Sequence, residues 1–342
     1  MPTLPSSSRS SQPIWLGLAI LYVVWGSTYL GIAVAVQTIP PFLMAAARFA
    51  LAGSILLAWT AIRERGALVR PTRRELVDSS VIGALLLGGG MGMVAWGEQT
   101  IPSGIAALLV ALMPVWIAVL GRIVLGERLP RLAGIGVVVG FVGVAILVGP
   151  TALGTTGALD PAGIGALLVS PIAWSSGSLY ASHRARLPSR PLVATGLQML
   201  AGSVVLVGLS LGSGEPGRFD PAAVSLTSLA AFAYLTVIGS ILAFTTYGWM
   251  LRVAPLPLVA TYAYVNPVVA VILGALILRE SVDPRTVLAG SVIVAAVALI
   301  VTARGRMARP RPRTGADAVT RAPRPGPSER PAAPAPSRSA SG

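Results

Sequence analysis

The chain has no cysteine and no lysine, a single histidine, and only 12 carboxylates in 342 residues. Without cysteine there is no disulfide, no thiolate nucleophile and no Cys-ligated metal, and one histidine does not build a His-rich metal site. No metal or other cofactor is therefore expected. Serine chemistry would need a base beside a hydroxyl such as Ser103, yet His183 is predicted at the opposite side of the membrane from Ser103. An aspartyl mechanism needs two acids at depth, and Asp78, Glu98, Glu127, Asp160 and Glu280 all fall at or near predicted span ends. An enzyme is thus the least favoured class. The same distribution offers no carboxylate relay through a bilayer.

Charge is scarce and apolar residues abound: 11% charged, 54% hydrophobic, mean hydropathy +0.77. A soluble domain of this length would not carry that balance, because it needs a polar surface. Ten apolar stretches, each long enough for a helix to cross about 30 Å of hydrocarbon, recur along the chain. They cover 14–34, 41–62, 76–96, 101–120, 131–149, 161–181, 191–211, 225–250, 256–278 and 285–303. An all-α membrane protein of ten transmembrane helices is the expected fold. Residues 1–13 form a short polar segment, and the first apolar stretch is longer than a signal-peptide core, so it reads as a retained span. Residues 304–342 mix Arg, Pro, Ala and Ser without apolar periodicity, which predicts a disordered tail.

With lysine absent, arginine alone sets orientation, since basic residues stay on the cytoplasmic side of short loops. An inside N-terminus places Arg9, Arg63, Arg65, Arg70, Arg73, Arg74, Arg122, Arg128, Arg131, Arg184, Arg186, Arg190 and Arg252 inside. Only Arg218, Arg279 and Arg285 fall outside, so both termini are expected in the cytoplasm of a multi-pass cell-membrane protein. Nine further arginines lie in the tail and Arg48 lies within a span. The net charge of +14 is therefore explained by topology and tail, and no nucleic-acid partner follows from it.

The chain also repeats itself. Trp96, Pro114 and Glu127 recur as Trp249, Pro267 and Glu280, each pair 153 positions apart, while Pro41 and Pro191 are 150 apart and Trp25 and Trp174 are 149 apart. Two five-span copies follow, 14–149 and 161–303, joined by an outer linker at 150–160. Five crossings return the chain on the other side of the membrane, so the second copy inserts upside down. Inverted repeats give two halves that exchange inward-open and outward-open shapes around a central site, the architecture of alternating-access transporters. A passive bundle enlarged by duplication is the competing reading.

Arg48 stands about 10 Å along its helix from Pro41, near mid-span, where a cation costs at least about 2.5 to 3.5 kcal/mol unless it meets water or an anion. Its repeat partner is Gln198. The two suit an anionic group such as a substrate carboxylate; the alternative is that Arg48 bonds helix-end carbonyls and holds a bend open. Trp25 within Trp25-Gly26-Ser27-Thr28-Tyr29, and Trp174 within Trp174-Ser175-Ser176-Gly177-Ser178, interrupt apolar runs, as small and hydroxyl residues do for helix packing or for a polar cavity. Gly88, Gly89, Gly90 and Gly92 permit close approach or a local break. Tyr262, Tyr264 and Asn266 precede Pro267, which frees a backbone carbonyl. The candidate site is Arg48, Gln198, Trp25, Trp96, Trp174, Tyr264 and Asn266. Glu98, in Trp96-Gly97-Glu98-Gln99, is the candidate for ion coupling because it opens onto an outer vestibule; a solvated loop acid is the alternative. Glu127 and Glu280 read as helix-end features.

These residues resemble a family. Pro114 with Leu125-Gly126-Glu127-Arg128-Leu129, answered by Asn266-Pro267-Val268-Val269-Ala270 and Glu280, looks like the EamA-type drug/metabolite transporters. Trp25-Gly26-Ser27-Thr28-Tyr29, Pro102-Ser103-Gly104-Ile105-Ala106-Ala107 and Tyr262-Ala263-Tyr264-Val265-Asn266-Pro267 make it similar to the YedA-like inner-membrane exporters over 14–303. The resemblance implies ten helices, cytoplasmic termini, and export of amino acids, related metabolites or toxic small molecules, with Arg48 matching an arginine common in the family's second helix. The Arg/Pro tail departs from the compact family pattern. A secondary exporter of small zwitterionic or anionic metabolites is expected, its partners a small-molecule substrate and the lipid bilayer. A homodimer, a small-solute channel or facilitator, and a non-transporting receptor stay open.

Overall fold

A computed structural model describes residues 12–63, 70–127, 129–152, 159–254, 256–259 and 261–307. All regular structure among them is helical. In chain order the long helices are α1 (Gln12–Ala35), α2 (Pro41–Arg63), α3 (Arg73–Gly97), α4 (Ser103–Val124), α5 (Arg131–Ala152), α6 (Pro161–His183), α7 (Pro191–Gly212), α8 (Leu226–Tyr247), α9 (Tyr262–Ile277) and α10 (Pro284–Met307). Nine of the described helices are long and apolar enough to cross a membrane, and α9 is a shorter apolar one. The stretch expected as a ninth span over 256–278 is divided: a short helix covers Leu256–Val259 and α9 starts only at Tyr262. Pro257 lies in the first turn of the short helix, where a missing N–H costs nothing, and the interruption falls between Val259 and Tyr262. The start of the expected tail, 304–307, instead continues α10, and the start of the expected linker, 150–152, continues α5; residues 308–342, 153–158 and 1–11 lie outside the described residues.

Helix starts carry the residues that satisfy free N–H groups. Pro41, Pro161, Pro191 and Pro284 occupy first turns, where a missing N–H costs nothing. Thr72 and Glu75 form a reciprocal capping box on α3, and the Asp160 carboxylate accepts the Ala162 and Gly163 N–H groups at the start of α6. The bundle exposes large apolar side chains that water would not tolerate, among them Ile62, Val204 and Leu276 at 77%, 71% and 75% exposure. Such a surface suits hydrocarbon. Where helices cross, small residues let backbones approach: on α2 and α7, a Cβ added at Gly53 would sit 2.9 Å from the Gly196 carbonyl oxygen.

The four glycines of α3 both break and pack. Residues Ala84–Met91 form a π-helical stretch, and Gly88, Gly89, Gly90 and Gly92 lie against Val205, Ala173, Trp174 and Leu206 respectively. A second π-helical stretch, Leu235–Leu242, occupies the same place within α8.

The two ends of the bundle are tied differently. At the end bearing the α3–α4 turn, Thr100 Oγ1 donates to Asp160 at 2.8 Å, and Glu215 accepts the Phe42 and Leu43 N–H groups at 3.1 and 2.8 Å. At the same end Ser228 Oγ donates to the Val34 carbonyl at 2.9 Å, and Arg285 donates to the Ile146 and Leu147 carbonyls. At the opposite end Asp78 accepts from Tyr180 at 2.6 Å, from the Arg186 N–H at 2.7 Å and from Arg74 at 2.9 Å, and His183 lies 3.4 Å from Glu127. Helix α9 packs against α1 and the first half of α4, whereas the second half of α4 packs against α5 and α6.

Candidate functional site

A cavity of about 90 Å³, room for several water molecules, opens where α1, α2, α3, α4, α6, α8 and α9 converge. Arg48 forms its polar wall. Although only 2% exposed, its Nε donates to Ser240 Oγ at 2.8 Å and its Cζ lies 5.0 Å from the Phe49 ring centroid. Arg48 lines the cavity, and among the described residues no hydrogen bond to its terminal NH₂ groups accompanies the Nε bond. Gly239, on the π-helical stretch of α8, admits the guanidinium: a Cβ there would come within 3.2 Å of a terminal nitrogen. Ser240 itself donates its hydroxyl to the Leu235 carbonyl at 3.1 Å, within the π-helical stretch.

Asn266 faces the same cavity from α9, one residue before Pro267. Its side-chain oxygen is buried and without a hydrogen-bond partner. A buried acceptor left alone costs about 1 to 3 kcal/mol, so a donor supplied by a guest is favoured there. Aromatic rings complete the wall. Trp25 packs edge-on to Tyr262 at 4.8 Å between centroids and to Phe244 at 5.7 Å, with Tyr247 at 5.2 Å. Trp174 enters from α6, its ring held against Gly90, where a Cβ would lie 2.9 Å from Cε3.

Of the residues singled out in the sequence, Arg48, Trp25, Trp174 and Asn266 thus come together on one cavity. Gln198, Trp96 and Tyr264 do not line it. Gln198 sits where α7 presses its backbone onto Gly83 of α3, so the repeat relation with Arg48 places it on the helix–helix seam. Trp96 packs on the cluster of Phe42, Phe49 and Leu206, and Tyr264 on the larger apolar core. Tyr29 lines the cavity from the Trp25–Tyr29 motif already singled out, whereas Ser240, which sequence reasoning passed over, carries a readable signal as a hydroxyl in an apolar run. Glu98 departs from expectation. It does not open onto a vestibule but is 5% exposed, with neither carboxylate oxygen bonded.

The EamA-like transporter family model matches residues 13–149 and again 161–302. The chain belongs to this family. It is 38% identical over 293 residues to the inner membrane transporter YedA of Escherichia coli K12, covering 85% of this chain and 92% of that protein. Protein PecM of Dickeya dadantii is 28% identical over 283 residues, 81% of this chain and 88% of PecM. A crystal structure 23% identical, with a TM-score of 0.57, covers 88% of this chain and all of its own, and speaks for the fold. As an EamA-like protein the chain is a membrane transporter and not an enzyme.

Proposed function

We propose that this chain is a secondary transporter that exports small zwitterionic or anionic metabolites across the cell inner membrane by alternating access. The observation that carries the reading is an aromatic-walled cavity presenting a buried guanidinium with no carboxylate partner among the described residues, Arg48, and an unpaired amide oxygen, Asn266. A carboxylate on the guanidinium and an ammonium on the amide oxygen and ring faces would satisfy both walls at once, as in an amino acid.

Ten helices in two inverted five-helix repeats, 14–149 and 161–303, supply the mechanism. The twofold family match supports this division. So do the equivalent helix ends, where Glu127 N–H donates to Gly121 and Glu280 N–H to Gly274, both at 3.1 Å. The arginine-rich loops assign both termini, the linker-distal tail among them, to the cytoplasm and the α3–α4 turn to the outside. Closer packing of α9 on the first half of α4 than on the second then suits a shape closed outside and opening inward.

The test compares metabolites in the medium of cells expressing the wild-type chain, Arg48→Gln or an empty vector at matched expression. Wild type alone enriching particular amino-acid-like compounds outside is the expected result. Equal enrichment by Arg48→Gln removes Arg48 from the site, and flux without counterflow in vesicles means a channel.

A further inference from the structure

At the α3–α4 end, two carboxylates share one sheltered corner on unequal terms. Helix α9 stops where Leu278 N–H and Glu280 N–H both donate to the Gly274 carbonyl, with Arg279 between them at φ 55°. That turn carries the Glu280 carboxylate back onto the start of α4, where Oε1 accepts Ser103 N–H at 2.8 Å and Oε2 accepts Gly104 N–H at 3.1 Å. A helix N-terminus stabilises a negative charge, so Glu280 is provided for. Glu98, at the end of α3, is not. Both its oxygens are buried without a hydrogen-bond partner, and Ser103 Oγ nearby has none either.

Among the described residues, the groups within electrostatic reach of Glu98 are Tyr29 and the Ala33 backbone of α1, and Glu280. Farther along the same turn, Thr100 donates its hydroxyl to Asp160 from α6. None is a cation, and Arg285 is committed to the Ile146 and Leu147 carbonyls. Burial, then the neighbouring Glu280, holds the Glu98 carboxyl well above the ordinary carboxylate range.

We infer that this corner is a proton-binding site that controls the mouth at the α3–α4 end: α4 closes on α9 through Glu280 only when Glu98 has taken up a proton. An ionised Glu98 would sit buried and unpaired beside a second carboxylate, so its ionisation favours separation of the two helices. Tyr29 lines the cavity and lies within electrostatic reach of Glu98, and so joins proton occupancy to the substrate site. The inference rests on the transporter reading, but its test reads conformation and not transport, so either can fail without the other.

The absence of native cysteine makes the test direct. Spin labels on Gln99→Cys and Ser281→Cys, both exposed and flanking the two acids, are placed on the full chain in lipid nanodiscs, and their separation is measured between about pH 5 and 9. Closure binds one proton, so the ratio of close to separated populations should fall by up to about tenfold per pH unit as pH rises. Glu98→Gln, a neutral side chain of the same shape, should hold the labels close at every pH. A wild-type distance that does not respond to pH overturns the inference. So does a response that Glu98→Gln leaves intact.

Discussion

Glu280 accepts the backbone N–H of Ser103, 177 positions earlier in the chain, at 2.8 Å, so a side chain beyond the end of α9 supplies the cap that α4 lacks in its own sequence. Pro102, the residue before α4, makes no side-chain cap bond. Replacing Glu280 by Ala should cost about 1 to 2 kcal/mol, roughly 5- to 30-fold in the closed-to-open ratio. The 99/281 label distance should lengthen at a pH where wild type is closed.

Gly274 is required by the same contact. A Cβ there would run into the Glu280 carboxylate and come within 2.9 Å of Ser103 Oγ, whereas Gly165 has nothing within 4 Å. Thermal unfolding of purified protein should show Gly274→Ala destabilised by about 1 to 3 kcal/mol. Gly165→Ala should be neutral or slightly stabilising.

Arg48→Gln removes the charge but keeps a polar group on the cavity. In proteoliposomes the half-saturating substrate concentration should rise about tenfold or more, the loss expected for a charge-assisted hydrogen bond. Arg48→Lys restores charge without the planar fork and should recover only part of it. An unchanged half-saturation would reduce Arg48 to its bond with Ser240.

Asp160 gives an acid-side signature. The Thr100 hydroxyl first, then the Gly163 and Ala162 N–H groups, hold its carboxyl below the ordinary range. Its contribution to stability is therefore present above the unfolded value, about 3.9, and is lost as pH falls through the folded one. Melting temperature should fall with acid below about pH 4 in wild type. Asp160→Asn should start lower and decline less over that window.

Much of this protein was legible before any coordinates. Lengths of apolar run set the helices because each must close its own backbone hydrogen bonds in lipid, a local requirement. Arg48 was legible for the same reason, as a mid-span cation is costly in any fold. Repeat spacing exposed Glu127 and Glu280 as related positions, though as helix-end features and not as a cap on a distant helix. What the sequence could not supply was rotation and crossing. Gln198 shares Arg48's place in the repeat, yet α7 turns it to the Gly83 seam, while Ser240 reaches Arg48 through a π turn. Glu98 looked like a surface acid because it follows a helix end, and only its tertiary surroundings, α1 and the turn bearing Glu280 among them, make it buried and alone. Hydrophobic length acts residue by residue along one helix and is written in the chain. Which side chains share a cavity or a sheltered corner depends on how several helices cross, and only the tertiary structure decides that.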